Sequence, residues 1–142
     1  MESKKLKRML ELKKRIEQAK KGEVVSAKHD LDEAQERLVA AQQEQDLRLR
    51  ELAAEEVNVH ELADRARFVV LAGKQVGVAR DVVAERDREV AVREEARMLA
   101  TRDVKTFELL NERDRDERRV VARRAEQSSA DDISSSRWSS KQ

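Results

Sequence analysis

The stretch from Val24 to Ala41, VVSAKHDLDEAQERLVAA, decides the fold. Val24, Ala27, Leu31, Ala34, Leu38 and Ala41 recur at alternating spacings of three and four. That is the a/d pattern of a coiled-coil seam, in which a repeat of ~3.5 residues keeps the apolar stripe facing a second helix. Toward the N-terminus, Leu6, Met9, Leu12, Ile16 and Ala19 form a stripe of the same kind. The spacing between Ala19 and Val24 slips, and the sequence predicts that the supercoil relaxes there. Gly22 lies in the slip, at a cost of about 1 kcal/mol of helix propensity relative to Ala.

A second seam begins at Val69 and runs through Ala72, Val76, Ala79 and Val83, then Val90, Ala100, Val104 and Phe107. Val121 and Ala125 keep its register, and Arg86, Arg93, Arg97, Asn111, Asp114 and Arg118 interrupt it. Such polar layers fix register at some cost in stability, or they face a partner outside the hairpin. The pattern leaves both uses open.

Composition agrees with long helices. Of 142 residues 43% are charged and 2% aromatic, with no Pro, no Cys and three Gly. A compact domain of this length needs bulky core residues and turn chemistry, so sheets, barrels and compact globular folds are excluded. High charge with low hydrophobicity also suits a disordered chain. The near-zero net charge and the helical spacing favour helix. Without Cys there are no disulfides, thiol catalysis or Cys-based zinc sites. No run approaches the about 18–20 apolar residues of a membrane span, and MESKKLKRML has no apolar core to follow it as a signal peptide would. The expected setting is cytoplasmic.

Between the seams, AAEEVNVHELADRA carries no sustained a/d repeat, and Asn58 is its best helix breaker. The expected architecture is all-α: a long two-helix antiparallel coiled-coil hairpin over residues 1–127. Helix 1 spans about 3–56, the turn about 57–64 and helix 2 about 65–127, with a flexible Ser-rich tail over 128–142. Each arm would be roughly 75 Å long at ~1.5 Å per residue. This hairpin sets Leu10 opposite Val121 and Ile16 near Asn111 to Arg115. Two alternatives remain: one unbroken helix that dimerises in parallel, and a bend at Gly73 and Gly77. In the tail, Trp138 is either without fixed contact or the anchor of a short docking element.

Net charge of +1 conceals a division along the chain. Residues 1–21 hold nine Lys/Arg and three acids, residues 22–64 twelve acids and four bases, and residues 65–127 sum to +3. In a hairpin both basic stretches meet at the terminal end and the turn end is acidic, so a charged partner is steered to one end.

Catalysis finds no constellation. His29 and His60 stand 31 residues apart on charged helices, no cleft encloses paired carboxylates, and the glycines form no phosphate loop. No cofactor and no metal are expected, and the chain reads as no enzyme. KKLKRMLELKKR is a basic amphipathic stretch of the kind that meets nucleic acid or an anionic membrane. The near-zero net charge, the missing stacking aromatics and the lack of a Trp or Phe anchor in this stretch speak against both. A protein–protein role remains.

Three features resemble the FliJ-like and YscO-like stalk proteins of bacterial type III export machines, flagellar or injectisome. KLKRMLELKKRIEQA is similar to the basic, Leu-punctuated start of that family. The ladder Phe68, Ala72, Val76, Ala79, Val83 looks like the opening of its second helix. The end, LLNERDRDERRVVARRAEQSSADDISSSRW, resembles its closing pattern, with Glu126, Gln127, Asp131, Asp132, Ile133 and Arg137 at the matching places. The resemblance implies a central stalk, shaped like the coiled coil of the rotary ATP synthase γ subunit. It inserts into the hexameric export ATPase, promotes its assembly, contacts the cytoplasmic domain of the export gate and handles export chaperones. It also implies a position peripheral to the inner-membrane export apparatus. Carried onto this chain, the gate-facing residues are Phe68, Ala72, Val76 and Ala79. For the ATPase, the charge distribution points to Lys4, Lys5, Lys7, Arg8, Arg118, Arg119, Arg123 and Arg124. The reading expects a monomeric hairpin without nucleic acid or membrane insertion; a generic coiled-coil scaffold or adaptor, as a parallel homodimer, is the alternative.

Overall fold

The computed structural model describes residues 3–54 and 58–140. Two long helices pack together as an all-α helical hairpin: α1, Ser3–Ala53, and α2, Val59–Ser140. The chain forms two compact units, Met1–Glu17 with Leu99–Gln142, and Gln18–Met98. In each, a stretch of α1 runs antiparallel to a stretch of α2.

The unit of residues 18–98 holds the connection between the helices. Asn58 starts α2 as its N-cap: the Glu61 backbone N–H donates to Asn58 Oδ1 at 2.8 Å, and the Leu62 N–H donates to the Asn58 carbonyl at 3.0 Å. An N-cap side chain satisfies one of the donors that the first helical turn leaves open, and Glu61 in that turn complements the helix dipole. Asn58 therefore opens a helix, and α2 begins inside the segment expected as the turn. Residues 55–57, which include the end assigned to helix 1 and the first turn residue, lie outside the described residues. At the close of α1, the Arg65 guanidinium donates to the Glu51 carbonyl at 2.6 Å and the Ala54 N–H donates to it at 3.3 Å. Side chain and tightened last turn thus do the work usually given to a C-terminal Gly, and no described residue has positive φ.

In this unit Val24, Ala27 and Ala34 of α1 and Ala72 and Val76 of α2 are buried, and the Glu23–Arg93 bridge sets Val24 level with about residue 92. Leu31, Leu38 and Ala41 are half-buried beside them. Arg93 lies on the α1 side and bridges Glu89 at 2.8 Å and Glu23 at 3.3 Å. Gly22 is exposed, with open space around it.

The covered stripe of α1 differs from the expected one near the N-terminus. Leu6, Leu10, Lys13, Glu17, Lys20 and Val24 form the covered stripe, with Met9 also half-buried as expected beside it, while Leu12, Ile16 and Ala19 are exposed. The alternation of four and three thus extends back from Val24 without a slip. Lys stems cover apolar surface while their heads reach acids, which lets charged residues occupy seam positions.

In the unit of residues 1–17 and 99–142, Leu6, Ala100, Val104 and Asn111 are buried. Lys13 Nζ lies 3.5 Å from Asp103 and 5.8 Å from the centre of the Phe107 ring. Leu10 therefore stands level with the Thr106–Leu110 stretch, three to four turns from Val121, and Ile16 stands level with Ala100–Val104. The start of α2 at Val59 rather than about 65 accounts for part of this shift toward the N-terminal part of that helix. The seam ends at Asp114, which is half-buried; Val121, Ala125 and every other described residue from Arg115 to Ser140 are exposed. Helix, not a frayed tail, covers Ser128–Ser140, with the Ser140 hydroxyl donating to the Arg137 carbonyl at 2.9 Å. No Pro or Gly interrupts this segment, and intrahelical hydrogen bonds carry it. Trp138 is exposed on it.

Candidate functional site

The four residues expected to face the export gate, Phe68, Ala72, Val76 and Ala79, separate into two classes. Ala72 and Val76 are each 3% exposed and belong to the seam. Phe68 is half exposed, and Ala79 is half-buried at the edge of a groove. The Arg48 guanidinium sits 5.0 Å from the Phe68 ring centre, within cation–π range. Arg48 is itself fixed by Glu44 at 2.9 Å and Glu51 at 3.0 Å. Hydrogen bonds to Glu51 and then Glu44 raise its pKa above the ordinary guanidinium value. The ring is thus presented to solvent with its orientation restrained.

The groove beside Ala79 has a volume of about 530 Å³. Its walls are Ala34, Arg37 and Ala41 from α1, and Leu71, Lys74, Gln75, Val78, Ala79 and Val82 from α2. Leu71 and Val78 are more than half exposed. Sequence reasoning missed these two with Val82, although their spacing of seven and four marks a second stripe beside the seam.

A second, polar groove of about 310 Å³ carries Glu23, Asp30, Glu85 and Glu89 with Arg86 and Arg93. Nearby, Arg97 donates to Glu94 at 2.6 Å. That hydrogen bond, with the charges of Arg97 and Lys28, holds the Glu94 carboxyl below its usual value despite some desolvation.

The basic residues expected to meet the ATPase lie in the other unit. Lys4, Lys5, Lys7 and Arg8 are exposed around buried Leu6. Arg118 pairs with Asp114 at 3.3 Å and Arg119 with Asp116 at 3.8 Å, both within α2. Arg123 and Arg124 are exposed. The Lys13–Asp103 register places Lys4 level with about residue 112. Arg118 to Arg124 therefore stand about 9–18 Å farther along α2, at ~1.5 Å per residue. The two basic groups share one unit as separate clusters, the second on helix that α1 does not cover.

His29 pairs with Glu33 at 3.3 Å on the same exposed helix face, and His60 is exposed. Among the described residues no group of three or more His, Cys, Asp or Glu is placed to hold a metal ion. No described helix is long and apolar enough to cross a membrane.

Neither the curated proteins nor the solved structures contain a match to this chain. The family model described as "FliJ: Flagellar FliJ protein" matches residues 2–142. A helical hairpin with a charged, interrupted seam is thus matched over nearly its full length, and the chain belongs to the FliJ family of flagellar export components.

Proposed function

We propose that this chain is the non-enzymatic central stalk of the export machine. In this reading it inserts into the hexameric export ATPase, promotes its assembly, and links it to the cytoplasmic domain of the export gate and to export chaperones. It works in the cytoplasm, peripheral to the inner-membrane apparatus, as a monomeric hairpin. The observation that carries the reading is the stretch of α2 beyond Asp114. Val121 and Ala125 keep the seam register there but are exposed with all its other described residues, and it bears Arg118, Arg119, Arg123 and Arg124. A long helix without a partner in its own chain gains stability by docking to another molecule. The basic residues suit a partner surface that carries acids, and Lys4, Lys5, Lys7 and Arg8 add charge in the same unit.

At the gate, Phe68 and Ala79 are the accessible members of the ladder, while Ala72 and Val76 support the helix beneath them. The test is the rate and oligomeric state of the purified export ATPase with and without this chain at low salt. The wild type is expected to raise both. A chain ending at Asp114 and the fourfold Arg118→Glu, Arg119→Glu, Arg123→Glu, Arg124→Glu variant are expected to lose the effect while keeping the helical signal of the hairpin. No binding and no rate change by the wild type would sink the proposal.

A further inference from the structure

We propose that the groove between Ala34–Ala41 and Leu71–Val82 takes a third helix, supplied by a partner, with an apolar stripe flanked by acidic residues. The inference rests on the reading of the Ala79 face as partner-binding and goes further by naming the chemistry of the occupant.

Three observations point to a helix. The walls repeat at coiled-coil spacing: Ala34 and Ala41 are seven apart on α1, and Leu71, Val78 and Val82 follow at seven and four on α2. A helix with a 3.5-residue apolar repeat stays in contact with both walls along its length. On the α1 side the half-buried Ala41 is small enough to let another helix approach closely, beside the cation Arg37. Finally, Leu71 and Val78 remain 52% and 63% exposed, beside Val70 at 59%, so the apolar patch continues out of the groove. Contiguous exposed apolar surface of this kind marks an interaction site.

Charge chooses the flanks. The groove is lined by two cations, Arg37 and Lys74, and by no carboxylate. It lies within residues 18–98, where acids outnumber bases by 18 to 14. An adjoining hollow of about 320 Å³ shares Leu71 and Lys74 and adds Arg67, whose Nη1 lies 3.6 Å from Asp64. Cations along an apolar groove in an otherwise acidic segment favour Glu or Asp beside the incoming stripe and repel Lys or Arg.

The test uses the full chain and two fluorescein-labelled synthetic peptides, three heptads long, with Leu at a and d. One carries Glu at the flanking e and g positions, the other Lys. Fluorescence anisotropy is expected to show the Glu peptide binding at least about tenfold more tightly than the Lys peptide. Val78→Glu is expected to weaken the Glu peptide by about tenfold or more, since it places a like charge in the apolar contact. Lys74→Glu is expected to reverse the preference between the peptides. Val78 is exposed, so the helical signal of the variant should match wild type; Val78→Ala, with a smaller loss of binding, is the second variant. Equal binding of both peptides, or Glu-peptide binding indifferent to Val78→Glu, would overturn the proposal. So would concentration-dependent self-association of the wild type that Val78→Glu abolishes, because a second copy would then be the occupant. Capture of the gate's cytoplasmic domain by Phe68→Ala tests the gate reading separately. Normal peptide binding with no gate capture by wild type defeats that reading alone, and gate capture unchanged by Val78→Glu with no peptide binding defeats the groove alone.

Discussion

Asn58→Ala tests how α2 begins. The substitution removes the 2.8 Å bond from the Glu61 N–H to Oδ1 and leaves that donor to water. N-cap losses of this kind cost about 0.5–2 kcal/mol, and the exposure of Asn58 places this one in the lower half, at about 0.5–1 kcal/mol. On a chain of this size that lowers Tm by about 2–4 °C. Asn58→Asp keeps the acceptor and adds charge that favours a helix N-terminus, so its stability should equal or exceed wild type. Asn58→Gly should cost only a few tenths of a kcal/mol. Urea unfolding followed by circular dichroism at 222 nm measures all three, with His60→Ala as the control, since His60 is an exposed neighbour. If Asn58→Ala differs from His60→Ala by less than about 0.3 kcal/mol, the Asn58 cap does not set the start of α2 and the reasoning fails.

Val76→Ala removes two buried methyl groups and should cost about 2 kcal/mol in urea unfolding, and gate capture should fall only where the hairpin has melted. Phe68→Ala loses an exposed ring and its contact with Arg48, so it should cost less than about 1 kcal/mol while lowering gate capture in the folded chain. Thr101 Oγ1 is buried without a hydrogen-bond partner, so Thr101→Val should raise stability by about 1 kcal/mol, read as a higher urea midpoint. The Glu94 carboxyl is held below its usual value by Arg97, so its contribution is present above the unfolded carboxylate value of about 4.5 and is lost as pH falls through the folded value. Acid titration of the 222 nm signal should show this loss in wild type and a smaller one in Glu94→Gln. Arg48 is shifted upward, and its contribution is intact below the ordinary guanidinium range.

Much of the fold was legible because apolar spacing is a local property. Val24 to Ala41 and Val69 to Val83 mark one face of a helix wherever a partner comes from, and both faces are the covered ones. The sequence signal for the start of α2 was also present, since Asn58 followed three residues later by Glu61 resembles a capping box. The same Asn also suits a helix break, because Asn serves both ends of a helix. Of the gate set, the ladder was visible as a stripe, but the same spacing describes buried Ala72 and accessible Ala79. Exposure depends on the angle at which the second helix arrives, which periodicity does not contain.

By itself, then, the sequence determined two long helices, the seam on each and the uneven charge. Backbone hydrogen bonding and apolar periodicity act within a few residues, so these properties follow from local order. Tertiary structure decided which polar layers face inward. Arg93, Arg97, Asn111 and Asp114 lie on the covered side, whereas Arg86 and Arg118 are exposed. It decided that Lys13, Glu17 and Lys20 hold seam positions in place of Leu12, Ile16 and Ala19, and that Lys13 meets Asp103. It also left Arg118 to Arg124 beyond the reach of α1. Pairing register is a relation between residues as far as 90 apart, and helix packing sets it through side chains that no local pattern connects.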